Sequence, residues 1–220
     1  PGDKLLSEQK MVERYGVARG SLREALRYLE LLGVLRIKSG PGGGPVIQAP
    51  DGAHFGSTLA LMLQFAGARF RTLIETRWVV EPGLAALAAE RATEADRAAL
   101  RACLAAMRAA LADGPRFAEE NRRFHDLVAT ASGNPLFAFL VPALHWITAG
   151  VPAAYSAAER RRILRGTADL LAAIEGRDAA VAYDLTRAFF GASLAYLDRA
   201  HAALMTRPLR WADYRAPFAR

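Results

Sequence analysis

Residues 7–32 contain two short blocks in which hydrophobic positions recur with helical spacing, and Gly16-Val17 separates the two blocks. In the second block, apolar residues take the i, i+3, i+4 and i+7 positions while arginines recur every four residues. At 100° per residue the two stripes are centred roughly 110° apart, so one face can pack inward while the other meets a negatively charged surface. Arginine suits guanine edges and phosphates because its planar group donates two parallel hydrogen bonds, although evenly spaced charges are also typical of a merely solvated helix face. The apolar stripe is Leu22, Ala25, Leu26 and Leu29, and the basic stripe is Arg19, Arg23 and Arg27.

The pattern changes after Gly33 to alternating apolar and basic residues, followed by a glycine-rich stretch and a second short apolar run. Residues 34–38 and 45–47 therefore predict two strands that are joined by a flexible tip at 39–44. A phosphate-binding glycine loop precedes a helix, so this tip is not one. Two helices followed by a small ribbon form the plan of a winged helix-turn-helix, which we assign to residues 1–48.

Residues 49–53 have the composition of a linker, and the chain after them is predicted to be helical. Turn signals support breaks between helices, for example Gly133-Asn134-Pro135 and the pair Gly176 and Asp178. The helices are expected at about 54–66, 69–91, 94–112, 116–131, 135–149, 156–175 and 178–204. The predicted fold class is mainly α, with an N-terminal winged helix-turn-helix and a two-stranded wing. Residues 54–206 would form an all-helical bundle of about six or seven helices, followed by a C-terminal tail at 207–220.

Composition and charge narrow the function classes. The chain has 220 residues, 52% of them hydrophobic, and no charge-free apolar run reaches the length of about 18 that spans a bilayer. The net charge of +7 favours polyanionic partners. Residues 1–50 hold only eight of the basic residues against five acids, so the excess is shared with the second domain. The single Cys103 excludes an internal disulfide framework and fits a reducing cytoplasm.

Residues 5–47 resemble the N-terminal domain of the GntR family of bacterial transcription regulators. The resemblance is carried by Leu6-Ser7-Glu8-Gln9, Gly16-Val17-Ala18-Arg19 and Leu22-Arg23-Glu24-Ala25-Leu26, completed by Gly33-Val34-Leu35 and Gly40. It implies a homodimer that presents two recognition helices to a palindromic double-stranded DNA operator. The residues expected to contact DNA are Arg19, Ser21, Arg23, Arg27 and Gln9 of the helices, and Lys38, Ser39 and Gly40 of the wing.

Three departures from the family pattern affect this domain. Gln9 stands where an arginine that contacts DNA often occurs, so one contact is shorter and uncharged. Ala18 replaces a serine that caps the recognition helix, which removes a contribution of about 1 kcal/mol. Ser21 and Glu24 form a capping-box pattern, so the helix could instead begin near Leu22 and leave Arg19 in the turn. The family also has a helix before this point, which the chain lacks at its start, so we expect a truncated or disordered beginning.

The helical region resembles the FCD domain of the FadR subfamily. The resemblance rests on residues 77–81, 85–89, 121–125, 132–134 and 173–178. Most FCD domains bind a divalent metal through one aspartate and three histidines, whose positions here are held by Asn121, His125, Thr167 and Phe189. Only His125 keeps a strong ligand, and an amide, a hydroxyl and a phenyl ring cannot replace the others. We therefore expect no metal cofactor, and His145 and His201 lack the paired spacing of a second metal site.

The same positions predict a ligand pocket that is polar at Arg77, Asn121, His125 and Thr167 and is capped by the ring of Phe189. Arg77 is the candidate for holding an acidic group, since a buried guanidinium needs an anionic or hydrogen-bonding partner. The alternative is that Arg77 pairs with Glu81, four residues along the same helix. A metal-free, fatty-acid-responsive branch of the subfamily binds acyl-CoA, so the resemblance implies a carboxylic acid or acyl-CoA effector.

The sequence and the resemblance thus predict a cytoplasmic bacterial transcription regulator without membrane partners, expected to be a repressor, with activation left open. A small acidic effector would modulate its operator affinity by changing the separation of the two winged helix-turn-helix domains of the dimer, here called the reader domains. The alternative is an effector-independent dimeric repressor whose helical domain is only a dimerisation scaffold.

An enzyme is not expected, because the chain has no nucleophile elbow, nucleotide loop, Cys-x-x-Cys pair or histidine triad. Glu119 and Glu120 are adjacent on a helix and point in different directions, and a metal-independent enzyme would need a paired base and nucleophile.

Overall fold

The computed structural model describes residues 1–40, 42–149 and 155–211. Its first elements are α1 (Glu8–Tyr15), α2 (Arg19–Leu31), β1 (Leu35–Lys38) and β2 (Gly44–Ile47). Ser7 caps α1, and Gly16 ends it in a left-handed conformation with φ of 64°, which favours glycine. The predicted winged helix-turn-helix is therefore present.

Helix α2 begins at Arg19, so the expectation of a start near Leu22 is wrong. Its N-cap is Ala18, which makes no side-chain capping bond. Leu22 and Leu26 instead fix the helix by packing in a small core with Met11 of α1. The predicted apolar stripe is only partly buried in this core, because Ala25 and Leu29 are both exposed.

The two strands pair antiparallel, with Leu35 opposite Ile47 and Lys38 opposite Gly44. Residues before α1 run along the free edge of β2. The backbone N–H of Leu5 donates to the carbonyl of Pro45 over 2.9 Å, and that of Gly2 donates to Ile47 over 2.7 Å. The start of the chain thus extends the wing sheet by a short third segment.

All seven predicted helices of the second region are found, with shifted ends. They are α3 (Gly52–Phe65), α4 (Phe70–Arg91), α5 (Glu94–Ala109), α6 (Gly114–Ala131), α7 (Pro135–Ala149), α8 (Ala157–Glu175) and α9 (Ala179–Ala200), and a short α10 (Ala202–Met205) follows. The helix expected to run to residue 204 breaks at His201, whose φ of −137° is not helical. Residues at the start of the predicted tail also pack inward: Leu209 is buried, and its N–H donates to Ala68.

Helix α4 lies at the centre of this region and packs against α6, α7, α8 and α9. One apolar core joins α4, α5, α6, α8 and α9, and a second joins α3, α4, α7 and the C-terminal residues. Within the described residues, no helix is both long enough and apolar enough to cross a membrane.

The winged helix-turn-helix meets the helical region at the start of α3. Asp51 caps α3 through the N–H groups of Ala53 and His54. A Cβ added to Gly33, at the turn before β1, would lie 2.5 Å from the His54 ring, so the two parts approach closely there. Helix α3 in turn packs on α7 through Gly52 and Gly56.

Candidate DNA-reading face and ligand cavity

Helix α2 presents its polar side chains to solvent. The residues expected to contact DNA from this helix, namely Arg19, Ser21, Arg23 and Arg27, are all exposed, whereas Leu22 and Leu26 are buried. The basic face is therefore available to a negatively charged surface while a neighbouring face of the helix holds the small core.

Arg23 is oriented by a residue that sequence reasoning did not single out. Its Nε donates to the Glu8 carboxylate of α1 over 2.8 Å, and this hydrogen bond and the charge of Glu8 raise the pKa of Arg23. Gln9, also exposed on α1, donates to Glu13 over 3.3 Å, so its side chain lies along the surface of its own helix. The motif position of Glu8 was visible in the sequence, but its partner across the turn was not.

The wing tip carries the remaining predicted contacts. Lys38, Ser39 and Gly40 are exposed, and Gly40 has a φ of 93° that favours glycine. Pro41 lies outside the described residues. Lys4 donates from Nζ to the carbonyl of Gly42, which places a further cation at the tip that sequence reasoning missed.

A cavity of about 500 Å³ lies between α4, α6, α8 and α9. Its walls combine apolar and aromatic side chains with an excess of arginine, and Glu159 is the single acid among the described lining residues. The side chains that matter for its chemistry are Phe70, Ile74, Phe189, Phe190 and Leu197 on the apolar side and Arg77, Arg122, Arg160, Arg162, Asn121 and His125 on the polar side.

Beside this cavity is a buried ionic cluster centred on Glu81. Arg77 Nε lies 2.5 Å from one carboxylate oxygen, and His125 Nδ1 lies 2.7 Å from the other. Burial alone would raise the pKa of Glu81, but the charges of Arg77, His125 and His145 hold it well below its usual range. The structure therefore has the alternative pairing, in which Arg77 is neutralised by Glu81.

His145 of α7 joins the cluster from its far side. Its Nδ1 lies 2.7 Å from Asp126 and its Nε2 lies 3.9 Å from Glu81. Burial and the positive charge of Arg77 lower the pKa of His145 to about 4. No sequence pattern groups His145 with Arg77, because their approach depends on how α7 packs against α4 and α6.

Two family patterns match this chain. The pattern of the bacterial regulatory proteins of the gntR family covers residues 1–43, and that of the FCD domain covers residues 72–192. The chain belongs to the GntR family and carries an FCD domain. The matched families are those of transcription regulators, not of enzymes.

Curated relatives of this GntR-family chain include two named regulators. The HTH-type transcriptional regulator LutR of Bacillus subtilis is 34% identical over 141 residues, which is 64% of each chain. The HTH-type transcriptional repressor NanR of Cronobacter sakazakii is 33% identical over 159 residues, covering 69% of this chain and 59% of that protein. Both matches span less than two thirds of the relative's length. Among solved structures, Streptococcus agalactiae GntR has the same fold, with a TM-score of 0.67 and 23% identity over 88% of this chain and 90% of that one.

The FCD metal positions lack a suitable set of donors. Thr167 donates its hydroxyl to the carbonyl of Ile163 over 2.9 Å, Asn121 offers only an amide, and Phe189 offers a ring. His125 is already bonded to Glu81, and no group of three or more His, Cys, Asp or Glu in the described ranges is arranged to hold an ion. These residues do not fit the divalent metal that the resemblance implies for most FCD domains.

The predicted pocket residues divide between two spaces. Arg77, Asn121, His125 and Phe189 line the large cavity. Thr167 does not, and instead lines a separate void of about 10 Å³, which His125 and Phe189 also border. Phe189 thus forms part of the wall between the two spaces, where a cap over the cavity was expected.

The cavity arginines outside α4 were missed at the sequence level. Residues 114, 115, 118, 121, 122 and 125 of α6 line the cavity, and their helical spacing is a signal that could have added Arg122. Arg160 bonds to the carbonyls of Leu111 and Tyr155 over 2.8 and 2.7 Å. No such pattern marks Arg162, whose position depends on how α8 packs.

Cys103 is buried, as a small apolar side chain would be. Burial and the nearby Glu120 raise its pKa to about 12, so the thiol is not ionised near neutral pH. This leaves it without the thiolate that a cysteine nucleophile needs.

Proposed function

We propose that this GntR-family chain is a sequence-specific DNA-binding repressor that acts as a homodimer on a palindromic operator. The observation that carries the proposal is the exposed basic face of α2 beside an exposed wing. Arg19, Ser21 and Arg23 would contact bases or adjacent phosphates, with Arg27 and Gln9 at the edge of the interface. Lys38, Ser39 and Gly40 would bring the wing to the minor groove. The name of the NanR relative supports repression.

The test is selection of duplexes from a random oligonucleotide library with the whole chain, followed by titration of the enriched sequence at several salt concentrations. We expect an inverted repeat, two chains per duplex, and affinity that falls steeply with salt because phosphate contacts release counterions. A scrambled duplex of equal length is the control. Equal affinity for both duplexes would contradict sequence-specific binding.

We further propose that the FCD cavity binds a small organic acid without a metal ion. The cavity's size is within the range of small-molecule sites, and its described lining has four arginines against one acid. The absence of carboxylate and imidazole donors at three of the four family metal positions supports the metal-free form. Binding of the acid would shift the helical domain between arrangements that hold the two reader domains differently.

Thermal unfolding in the presence of carboxylic acids and acyl-CoA thioesters tests this proposal. At least one acid should raise the unfolding temperature, since a ligand of the native state stabilises it. The shift should be the same with chelator or with added zinc. A screen in which no acid has an effect would favour the alternative, in which the helical domain is only a dimerisation scaffold.

A further inference from the structure

Two arginines that line the cavity have no counter-charge in the described part of the chain. Arg77 is paired with Glu81, and Arg160 is bonded to two backbone carbonyls. Arg122 and Arg162, by contrast, have no hydrogen bond or ion pair with residues of the described ranges. Both are only partly exposed, and a partly buried cation without an anion is unfavourable. An anion in the cavity would be attracted most strongly to these two side chains, because no carboxylate already neutralises them.

Arg77, which has an ion-pair partner, and Arg162, which has none, each contact a different phenylalanine ring of the cavity. The guanidinium carbon of Arg162 lies 5.5 Å from the centre of the Phe189 ring, and that of Arg77 lies 4.9 Å from the centre of Phe190. The two rings meet edge to face at 5.4 Å. Each ring of the aromatic pair is therefore contacted by an arginine, and of these two arginines only Arg162 has no ion-pair partner in the described part of the chain.

The single acid of the lining does not neutralise this side. Glu159 accepts from the backbone N–H and hydroxyl of Ser156 over 3.2 and 3.3 Å, as the capping box of α8. The same carboxylate also hydrogen-bonds to Tyr196 of the cavity lining, so that desolvation and this hydrogen bond raise the pKa of that tyrosine, and within the described residues it makes no ion pair with Arg162.

We infer that Arg122 and Arg162 form the subsite for the acidic group of the effector, and that Arg77 does not. The effector is then an organic anion with one charged end and an apolar body that packs on Phe189 and Phe190 and extends toward Asn121 and His125. This inference rests on the proposed binding of an organic acid. It differs from the expectation at the sequence level, because Glu81 already satisfies Arg77.

A fluorescent sulfonate tests the subsite without knowledge of the natural effector. The probe is 8-anilinonaphthalene-1-sulfonate, which joins an anion to an apolar aromatic body, and only the fluorescence that octanoate displaces is scored. We expect Arg162→Gln and Arg122→Gln each to weaken this binding about tenfold, since a charge-assisted hydrogen bond is lost. Arg165→Gln, on the exposed side of α8 and outside the cavity lining, is the matched control and should bind as the wild type does. Octanoate should displace the probe far better than 1-octanol.

The unfolding temperature with and without octanoate is a second measurement, and it distinguishes a ligand-binding role of Arg162 from a purely structural one. Arg162→Gln should unfold at the same or a higher temperature than the wild type without ligand, because it removes an uncompensated charge, yet it should lose the stabilisation by octanoate. The double variant Arg77→Gln/Glu81→Gln removes the buried pair together, which avoids an unpaired carboxylate, and should keep the probe affinity within about threefold.

The outcomes separate the two proposals. If the double variant loses the probe while Arg122→Gln and Arg162→Gln retain it, acid binding stands but the subsite is at Arg77, and the inference is overturned. If the double variant does not fold, unchanged binding in both single variants relative to Arg165→Gln overturns it. If the wild type has no octanoate-displaceable binding, the inferred subsite for an anion with an apolar body is overturned, whereas the proposed effector function is decided by the separate screen of carboxylic acids and acyl-CoA thioesters.

Discussion

Among the proposed DNA contacts, Arg23 has a position that a neighbouring residue defines, since Glu8 holds its guanidinium across the turn between α1 and α2. Both groups are exposed, so the pair contributes little to folding stability and serves mainly to orient the arginine. Replacing Arg23 with Ala should leave the unfolding temperature nearly unchanged and weaken binding to the selected operator at least about fivefold. Fluorescence anisotropy of the labelled duplex measures this effect, with Arg187→Ala in the helical domain as the control. Unchanged affinity would remove Arg23 from the DNA contacts.

His145 makes the folded chain sensitive to mild acid. Its pKa is lowered to about 4 in the folded chain, against about 6.5 in an unfolded one, so the unfolded state binds the extra proton between these values. The neutral histidine therefore contributes stability that is complete above about pH 6.5 and is lost as the pH falls toward 4. Because one pKa unit corresponds to about 1.4 kcal/mol, the loss amounts to about 3 kcal/mol.

Urea unfolding between pH 7.5 and 5 measures the first part of this loss, about 2 kcal/mol, in a range above the region where protonation of Glu81 begins to matter. The groups that face His145 are Arg77 and Glu81 of α4 and the His125 ring and Asp126 of α6. His145→Gln keeps a donor for Asp126 but cannot titrate, so its stability should change less with pH than that of the wild type. His201→Gln, outside this cluster, is the control. Equal slopes in His145→Gln and wild type would contradict the assignment.

At the scale of elements, the contact between α3 and α7 depends on the absence of side chains. A Cβ at Gly52 would lie 2.4 Å from Pro142 Cβ and 2.8 Å from its carbonyl carbon, which is closer than packed atoms approach. Gly52→Ala should therefore lower the free energy of unfolding by about 1–3 kcal/mol through overpacking. Gly83→Ala, in the interior of α4 with nothing within 4 Å of its added Cβ, should raise it by about 0.5–1 kcal/mol. If Gly52→Ala is as stable as the wild type, α3 does not pack closely on α7.

The elements were predictable where local signals and periodicity agree. Gly16 and Gly133 have the left-handed conformations that the sequence pattern implied at the ends of helices, and the two strands lie within a residue of their expected ends. The start of α2 was ambiguous, because Ala18 cannot cap and Ser21 can, and tertiary packing of Leu22 decided it. The end of α9 before His201 could not be predicted, because no glycine or proline occurs at that position.

The candidate site was less predictable than the fold, because charges from distant segments meet there. The family positions located Asn121 and His125 at the cavity, but not the packing that puts Thr167 in a separate void. The pairing of Arg77 with Glu81 follows helical spacing and was foreseeable. The approach of His145 to Glu81 and of Arg162 to Phe189 depends on helix packing that no local pattern encodes.

At the scale of the whole molecule, a continuous set of contacts joins the cavity to the reader. His125 of the cavity wall and His145 of α7 both approach Glu81, α7 packs on α3, and His54 of α3 lies against the turn at Gly33. Such contacts supply a physical connection between the two sites, and coupling is measured only as a change in affinity. If binding of a ligand in the cavity alters any of these contacts, the helical domain regulates DNA binding and does not only hold the dimer together.

The resulting prediction concerns the reciprocity of two affinities. The organic acid with the largest thermal stabilisation should weaken operator binding by a factor of about 5 to 150, and the operator should weaken binding of that acid by the same factor. Anisotropy with and without the acid gives the first factor, and calorimetry with and without the duplex gives the second. Arg162→Gln should show the acid-free operator affinity whether or not the acid is present. If the acid binds but both factors stay below about two, the cavity and the reader are uncoupled, and the chain is a constitutive DNA-binding protein with an occupied pocket.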